Sequence, residues 1–325
     1  MPTPDMKAEH ILEVDSLTVR YVTEKFPVRA VDGVTLVVDR GEAFGLAGES
    51  GSGKSTLANT ILRILPSNAE ILMGRILFEG EDILKIAEEE FRSRFRWRRI
   101  AIVPQATMNS LTPVHRVNRQ IVEAILTHED VTVEEAFERA EALLENVGIP
   151  RSRARDYPHQ FSGGMKQRAM IAMALACNPS LLIADEPTTG LDVITQAGVL
   201  KVLEDSKKRF NLSLILITHD LSIISELCER VAVMYAGRIV EEAPTKKILT
   251  HPAHPYTRAL LEAYPDIEGP RVKLRPVPSL GSNWQATGLG CPFYPRCDSR
   301  GKRCLEEDPK LIEVGDRHLC ACHIY

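Results

Sequence analysis

The sequence predicts an α/β fold with a mostly parallel sheet. Two observations carry this. Short, strand-sized apolar runs alternate with helix-like stretches from about residue 11 to residue 240. The runs also end at or beside polar residues, as buried parallel strands do when their C-terminal ends face a ligand. Ala43–Ala47, Ile100–Pro104, Leu181–Asp185 and Leu214–Thr218 are the strands expected on this basis. Ser55–Leu65, Val133–Val147 and Met165–Ala176 have helical spacing. Val231–Tyr235 and Arg238–Glu242 flank Ala236-Gly237 and predict a late hairpin. After about residue 243 the character changes. A helix is expected over Thr257–Ala263, and Pro265, Pro270, Pro276 and Pro278 then break regular structure.

Between the first core strand and its helix lies Gly48-Glu49-Ser50-Gly51-Ser52-Gly53-Lys54-Ser55-Thr56, a full match to G-x-x-x-x-G-K-[ST]. Glycines let the backbone wrap a phosphate chain, and the N–H groups point inward at the anion. Lys54 is expected on the β and γ phosphates and the Ser55 hydroxyl on Mg²⁺. The helix that follows turns its positive end to the same phosphates. Leu181–Asp185 then carries two carboxylates, Asp185 and Glu186. Asp185 is placed to hold the Mg²⁺ and Glu186 to polarise an attacking water as general base.

The run Phe161-Ser162-Gly163-Gly164-Met165-Lys166-Gln167-Arg168 decides between phosphate-loop families. It resembles the LSGGQ signature of ABC ATPases, with Phe161 for Leu and Met165 for Gln. Ser162, Gly163 and Gly164 would cap a second anion site at another helix start. Gln105 is similar to the Q-loop glutamine, a further Mg²⁺ contact. Thr188–Asp192 resembles the D-loop, and Thr218-His219-Asp220 the H-loop. Tyr21, 27 residues before Gly48, stands where the family stacks an aromatic on adenine. The resemblance implies a RecA-like core with an antiparallel β subdomain and a helical subdomain over about 106–165. It also implies ATP held between two head-to-tail subunits, with Glu186, His219 and Gln105 catalytic.

Three features narrow the resemblance to oligopeptide/dipeptide importer ATPases: FSGGMKQR at 161–168, His254-Pro255-Tyr256-Thr257, and the cysteine-rich tail. The nucleotide-binding domain is expected over 1–242 and an extension over 243–325. Partners implied are a paralogous ATPase as heterodimer, two transmembrane permeases and an extracellular substrate-binding protein, with no nucleic acid. Relatives of the same architecture carry oligosaccharides or nickel. Two rivals remain: a soluble repair or translation ATPase, whose coiled-coil insertion or second nucleotide domain this sequence does not show, and an adaptor that binds ATP without turning it over, against which Glu186 and His219 argue.

Five of the seven cysteines fall in the last 35 residues. Four of them with little apolar company are not expected to make a core. A metal centre would staple the segment instead. Gaps of five, six and seventeen residues between Cys291, Cys297, Cys304 and Cys322 fit an iron–sulfur cage better than the C-x₂₋₄-C pairs of zinc. The resemblance implies a [4Fe–4S] cluster here. Cys320 could replace Cys322, and His318 and His323 leave the ligand set open.

Phe91–Arg99 mixes aromatics with five arginines, but Glu88-Glu89-Glu90 offsets the charge. A net charge of −4 also argues against nucleic acid as a partner. No apolar run approaches the roughly 18–20 residues needed to cross a bilayer. Met1–His10 has no apolar signal core. The chain is therefore expected on the cytoplasmic face of the membrane, attached through its permeases.

Overall fold

The computed structural model describes residues 10–24, 26–105, 110–263 and 290–325. Pro265, Pro270, Pro276 and Pro278, residues 1–9 and the first residues of the expected helical subdomain, 106–109, lie outside that set. The chain begins with β1 (His10–Tyr21), β2 (Val28–Asp39), β3 (Ala43–Ala47), α1 (Lys54–Ile61), β4 (Ala69–Phe78) and β5 (Glu81–Asp82). It continues through α2 (Glu88–Arg94), β6 (Ile100–Val103), α3 (Val117–His128), α4 (Val133–Asn146), α5 (Gly163–Ala174) and β7 (Leu181–Asp185). Next come α6 (Val193–Phe210), β8 (Ser213–Thr218), α7 (Leu221–Leu227), β9 (Arg230–Tyr235) and β10 (Arg238–Pro244). The last elements are α8 (Thr245–Thr250), α9 (Pro255–Glu262), α10 (Arg303–Glu306), β11 (Ile312–Gly315) and β12 (His318–Cys320).

Two sheets organise these elements. The larger has eight strands in the order β11-β12-β10-β9-β3-β8-β7-β6. Its β9, β3, β8, β7 and β6 run parallel. The smaller is antiparallel, in the order β2-β1-β4-β5. Alternation along the parallel strands feeds two cores. Phe44, Leu46, Leu181, Ile183, Ile215 and Ile217 join the small sheet and α1 on one face. Ala43, Ala47, Leu182, Ala184, Leu214 and Leu216 join α3 to α7 on the other. A strand covered on both faces must be apolar throughout, which is why these runs read as continuous. Leu57 and Ile61 fasten α1 to the first core, each burial being worth about 1.5–3 kcal/mol.

The expected strands form within a residue or two of their predicted bounds. Helix α1 is shorter than Ser55–Leu65, because Arg63 adopts a left-handed φ of 53° and Pro66 follows. Helix α9 starts earlier than Thr257. Its first residue is Pro255, and the His254 ring Nδ1 accepts from the Tyr256 N–H at 3.0 Å as an N-cap.

The tail corrects one expectation. It does enter a core: Phe293, Cys297, Cys320 and Ala321 are buried. Its apolar company comes from far away in sequence, since Phe293 packs on Tyr235 and Tyr256 with ring centroids 5.3 and 5.5 Å apart. β12 bonds to β10 with Glu241 opposite Cys320, so the tail completes the larger sheet. The arginine-rich stretch is also internal in its bonding. Phe91 and Phe95 are fully buried in α2 and its C-cap. Arg63 and Arg96 lie over Phe91, and Arg94 pairs with Glu81 and Glu90.

Candidate nucleotide site

The phosphate loop joins β3 to α1 at the C-terminal edge of the large sheet. Its path depends on glycine at two positions. Gly48 has φ 146°, and a Cβ there would lie 2.3 Å from the Met234 carbonyl oxygen. Gly53 has φ 108°, and a Cβ would lie 2.1 Å from the Ala30 oxygen. Any side chain would force the loop off strands β9 and β2.

Lys54 is buried, and its Nζ donates to the carbonyl oxygens of Gly48 at 2.7 Å and Glu49 at 2.8 Å, and to Ser52 Oγ at 3.1 Å. Burial pushes the amine below its ordinary value, while the carboxylates of Glu186, Asp185 and Glu49 oppose that. The ammonium is thus held by its own loop and faces a cluster of acids. Tyr21 reaches the same place, with its hydroxyl 3.3 Å from Thr56 Oγ1.

Asp185 ends β7 and is buried. Desolvation raises its pKa, against the Ser55 hydroxyl bonded to it and nearby Lys54. Its Oδ1 has no hydrogen-bond partner among the described residues. A buried, unpartnered carboxylate oxygen beside a serine hydroxyl suits a hard cation.

Glu186 has a left-handed φ of 47°, fixed by its N–H donating to the Ile217 carbonyl at 2.8 Å. Such strain in a non-glycine residue is held by its surroundings and turns the side chain out of the strand. Three groups meet this carboxylate. Gln105 Nε2 donates at 2.7 Å, Thr189 Oγ1 at 3.0 Å, and His219 Nδ1 lies at 3.2 Å. Burial alone would raise the Glu186 carboxyl, but the bonds from His219, Thr189 and Gln105 outweigh it and hold the pKa below the ordinary value. Glu186 is therefore ionised at neutral pH, as a general base must be.

The signature residues stand elsewhere. Ser162 is exposed and N-caps α5, its Oγ accepting from the Met165 N–H at 3.3 Å. Gly164 packs on Thr195, where a Cβ would come within 2.2 Å. Helix α5 packs in the core on the opposite face of the sheet from α1. Gln105, Asp185, Glu186, His219 and Lys54 are thus brought together, Tyr21 lies against Thr56 in the first turn of α1, and Ser162, Gly163 and Gly164 belong to a second helix end.

The four tail cysteines converge. Cys291, Cys297, Cys304 and Cys322 line one small cavity with His254, Phe293 and His323. Cys320 is not among its lining residues; it sits fully buried in β12. Burial, then the neighbouring Cys304, Cys322 and Cys297, push the Cys291 thiol up to about 11. No group of three His, Cys, Asp or Glu among the described residues comes together as an ion site.

Sequence reasoning gave no role to Glu49, Tyr235, Tyr256 or Arg296. The Arg296 guanidinium grips the Glu49 carboxylate through both Nη atoms, at 2.9 and 2.7 Å. The signal available was position: Glu49 lies inside the phosphate loop, and Arg296 directly precedes Cys297.

No helix of the described residues is long and apolar enough to cross a membrane. The family described as ABC transporter matches residues 31–189. The one described as the C-terminal region of the oligopeptide/dipeptide transporter matches 240–304. The chain is 45% identical over 320 residues to the probable peptide ABC transporter ATP-binding protein y4tR of Sinorhizobium fredii, covering 97% of this chain and 95% of that protein. It is 41% identical over 315 residues to the dipeptide transport ATP-binding protein DppD of Escherichia coli, covering 96% of each. Among solved structures it is similar to the dimeric ATP-binding cassette MJ0796 in a post-hydrolysis state with ADP and Pi. That match has a TM-score of 0.64 at 26% identity, covering 72% of this chain and 98% of the other. With this coverage over a site of this geometry, the chain is an ABC ATPase and belongs to the family of ATP-binding subunits of oligopeptide/dipeptide ABC transporters.

Proposed function

We propose that this chain binds ATP at Gly48–Thr56 and hydrolyses it with Glu186 to power import of oligopeptides or dipeptides. The convergence of Gln105, Thr189 and His219 on an ionised Glu186 beside Lys54 and Asp185 carries this reading. Lys54 leaves its loop carbonyls for the β and γ phosphates, and the N–H groups of Ser50, Gly51, Ser52 and Gly53 cradle them. Ser55, Asp185 and Gln105 would hold Mg²⁺, which when bound would neutralise phosphate charge. Glu186 takes a proton from the attacking water, His219 contacts the γ-phosphate, and Tyr21 stacks on adenine. Ser162, Gly163 and Gly164 close over ATP on a second chain, a reading supported by α1 and α5 lying on opposite faces of the sheet.

Domain limits of 1–242 and 243–325, with a helical subdomain over about 106–165, belong to the same proposal. So do a paralogous ATPase as heterodimer partner, two permeases, an extracellular substrate-binding protein and a place on the cytoplasmic face of the membrane. Uptake of labelled dipeptides and oligopeptides by cells lacking the chain tests the cargo. The parent should restore uptake and Glu186→Gln should not; uptake undiminished by loss of the chain would reject peptide import.

The tail reading is a [4Fe–4S] cluster on Cys291, Cys297, Cys304 and Cys322, supported by their shared cavity. Bound there, it supplies a structural staple. Anaerobic purification followed by iron and sulfide analysis tests it: about four irons per chain are expected, and one zinc or no metal overturns it.

A further inference from the structure

We propose that Arg296 and Tyr256 are positioning residues for the phosphate loop, acting through Glu49, so that the C-terminal tail forms part of the ATP site. This rests on reading Gly48–Thr56 as the loop that binds ATP. Glu49 is the second residue of that loop, and its backbone carbonyl is one of the acceptors holding Lys54 Nζ. Both sides of Glu49 are taken by the tail half of the chain. Its N–H donates to the Tyr256 hydroxyl at 2.9 Å. Its carboxylate accepts both Arg296 Nη atoms, a planar two-bond grip that fixes direction as well as distance.

The Arg296 side chain is only 3% exposed, whereas that of Glu49 is 34% exposed. Three rings surround the guanidinium: Tyr235, Tyr256 and Phe293, with centroids 5.4, 6.0 and 5.7 Å from it. Arg296 Nη1 also donates to the Tyr235 hydroxyl at 3.3 Å, while Nε is buried with no partner among the described residues. A buried cation with one donor unmatched is costly, and a surface ion pair would not justify it. Delivering two donors to one carboxylate in the phosphate loop does. The charge matters as well as the hold. A free carboxylate at Glu49 would repel an incoming triphosphate, and Arg296 cancels it.

The test is ATP affinity, measured with Mg²⁺ on the full folded chain. Arg296→Met should raise the ATP Kd about ten-fold, within the usual range for coupled sites. In a Glu49→Gln background the same substitution should change Kd by less than about two-fold, because the pair it breaks is already gone. Arg296→Lys should recover part of the loss, since it returns the charge without the fork. A merely structural arginine, held by its aromatic rings, would cost the same in both backgrounds, and that result overturns the proposal. An unchanged Kd in folded Arg296→Met overturns it too. If Arg296→Met does not fold, Tyr256→Phe decides, because it keeps the ring and removes only the hydroxyl: a Kd raised about three-fold supports the proposal, and a parental Kd rejects it. Lys54→Ala separates the two readings. Parental binding in that variant would sink the loop assignment itself, while loss there with none in Arg296→Met would sink only the tail's role.

Discussion

The phosphate loop and the cysteine-rich tail meet at Glu49, yet they are assembled in opposite ways. The motif is nine consecutive residues running from the end of one strand into the first turn of one helix, shaped by Gly48 and Gly53 against neighbouring backbone. The tail's Phe293 and Arg296 join Tyr235 of β9 and Tyr256 of α9, so three separate segments form one cluster. Chemistry written in a contiguous run survives without knowledge of the fold. Packing written across 60 residues does not, and only the structure shows that the two regions share a contact.

The comparison can be broken or sharpened by variants that load one region and not the other. The largest effect is expected from Tyr256→Ala, which empties the centre of the aromatic cluster. It should destabilise the chain by about 3–5 kcal/mol, as large core truncations do, and weaken ATP binding as well. A denaturant melt with an ATP titration checks both, and loss of stability without loss of affinity would part the tail from the loop.

Acid should act on the tail next. Desolvation, with Arg258 adding to it, lowers the His254 pKa from 6.5 to about 4, and its Nδ1 accepts the Tyr256 N–H, which requires the neutral ring. The unfolded chain binds the proton more readily than the folded one. The contribution is therefore complete above about pH 6.5 and is lost as pH falls towards about 4, at most about 3 kcal/mol. His254→Gln should flatten melting temperature against pH across that window; an unchanged slope would clear His254.

Lys54→Ala should do the reverse of Tyr256→Ala. ATP affinity should fall about 10–150-fold, the worth of a charged hydrogen bond, with the melt in the absence of nucleotide little changed. A smaller control is Thr132→Ala, which removes the N-cap of α4, where Thr132 Oγ1 accepts from the Glu135 N–H at 3.2 Å. About 1 kcal/mol of stability should go, with ATP affinity untouched.

Much of the site was legible in the sequence because its parts are strand ends. Gln105, Asp185 and Glu186, and His219 each follow an apolar run, and parallel strands bring such ends to one edge. The four cysteines were legible as a composition shift, and Cys322 rather than Cys320 lines their cavity because β12 turns Cys320 into the sheet. Three features were not legible. The tail's apolar partners, Tyr235 and Tyr256, carry no local mark of what they will touch. The long strands β1, β2 and β4 bend at bulges, which breaks the simple alternation that would reveal a strand. Glu49 looked like a spacer because the motif constrains glycines, Lys54 and Ser55 but leaves that position open.

ATP turnover by the parent chain and by Glu186→Gln, with ATP binding measured on both, tests the assignment of the base most directly. The variant should bind ATP with a Kd within about two-fold of the parent and hydrolyse it about 10²–10⁴-fold more slowly. Turnover at the parental rate would contradict Glu186 as the base, whatever the tail contributes.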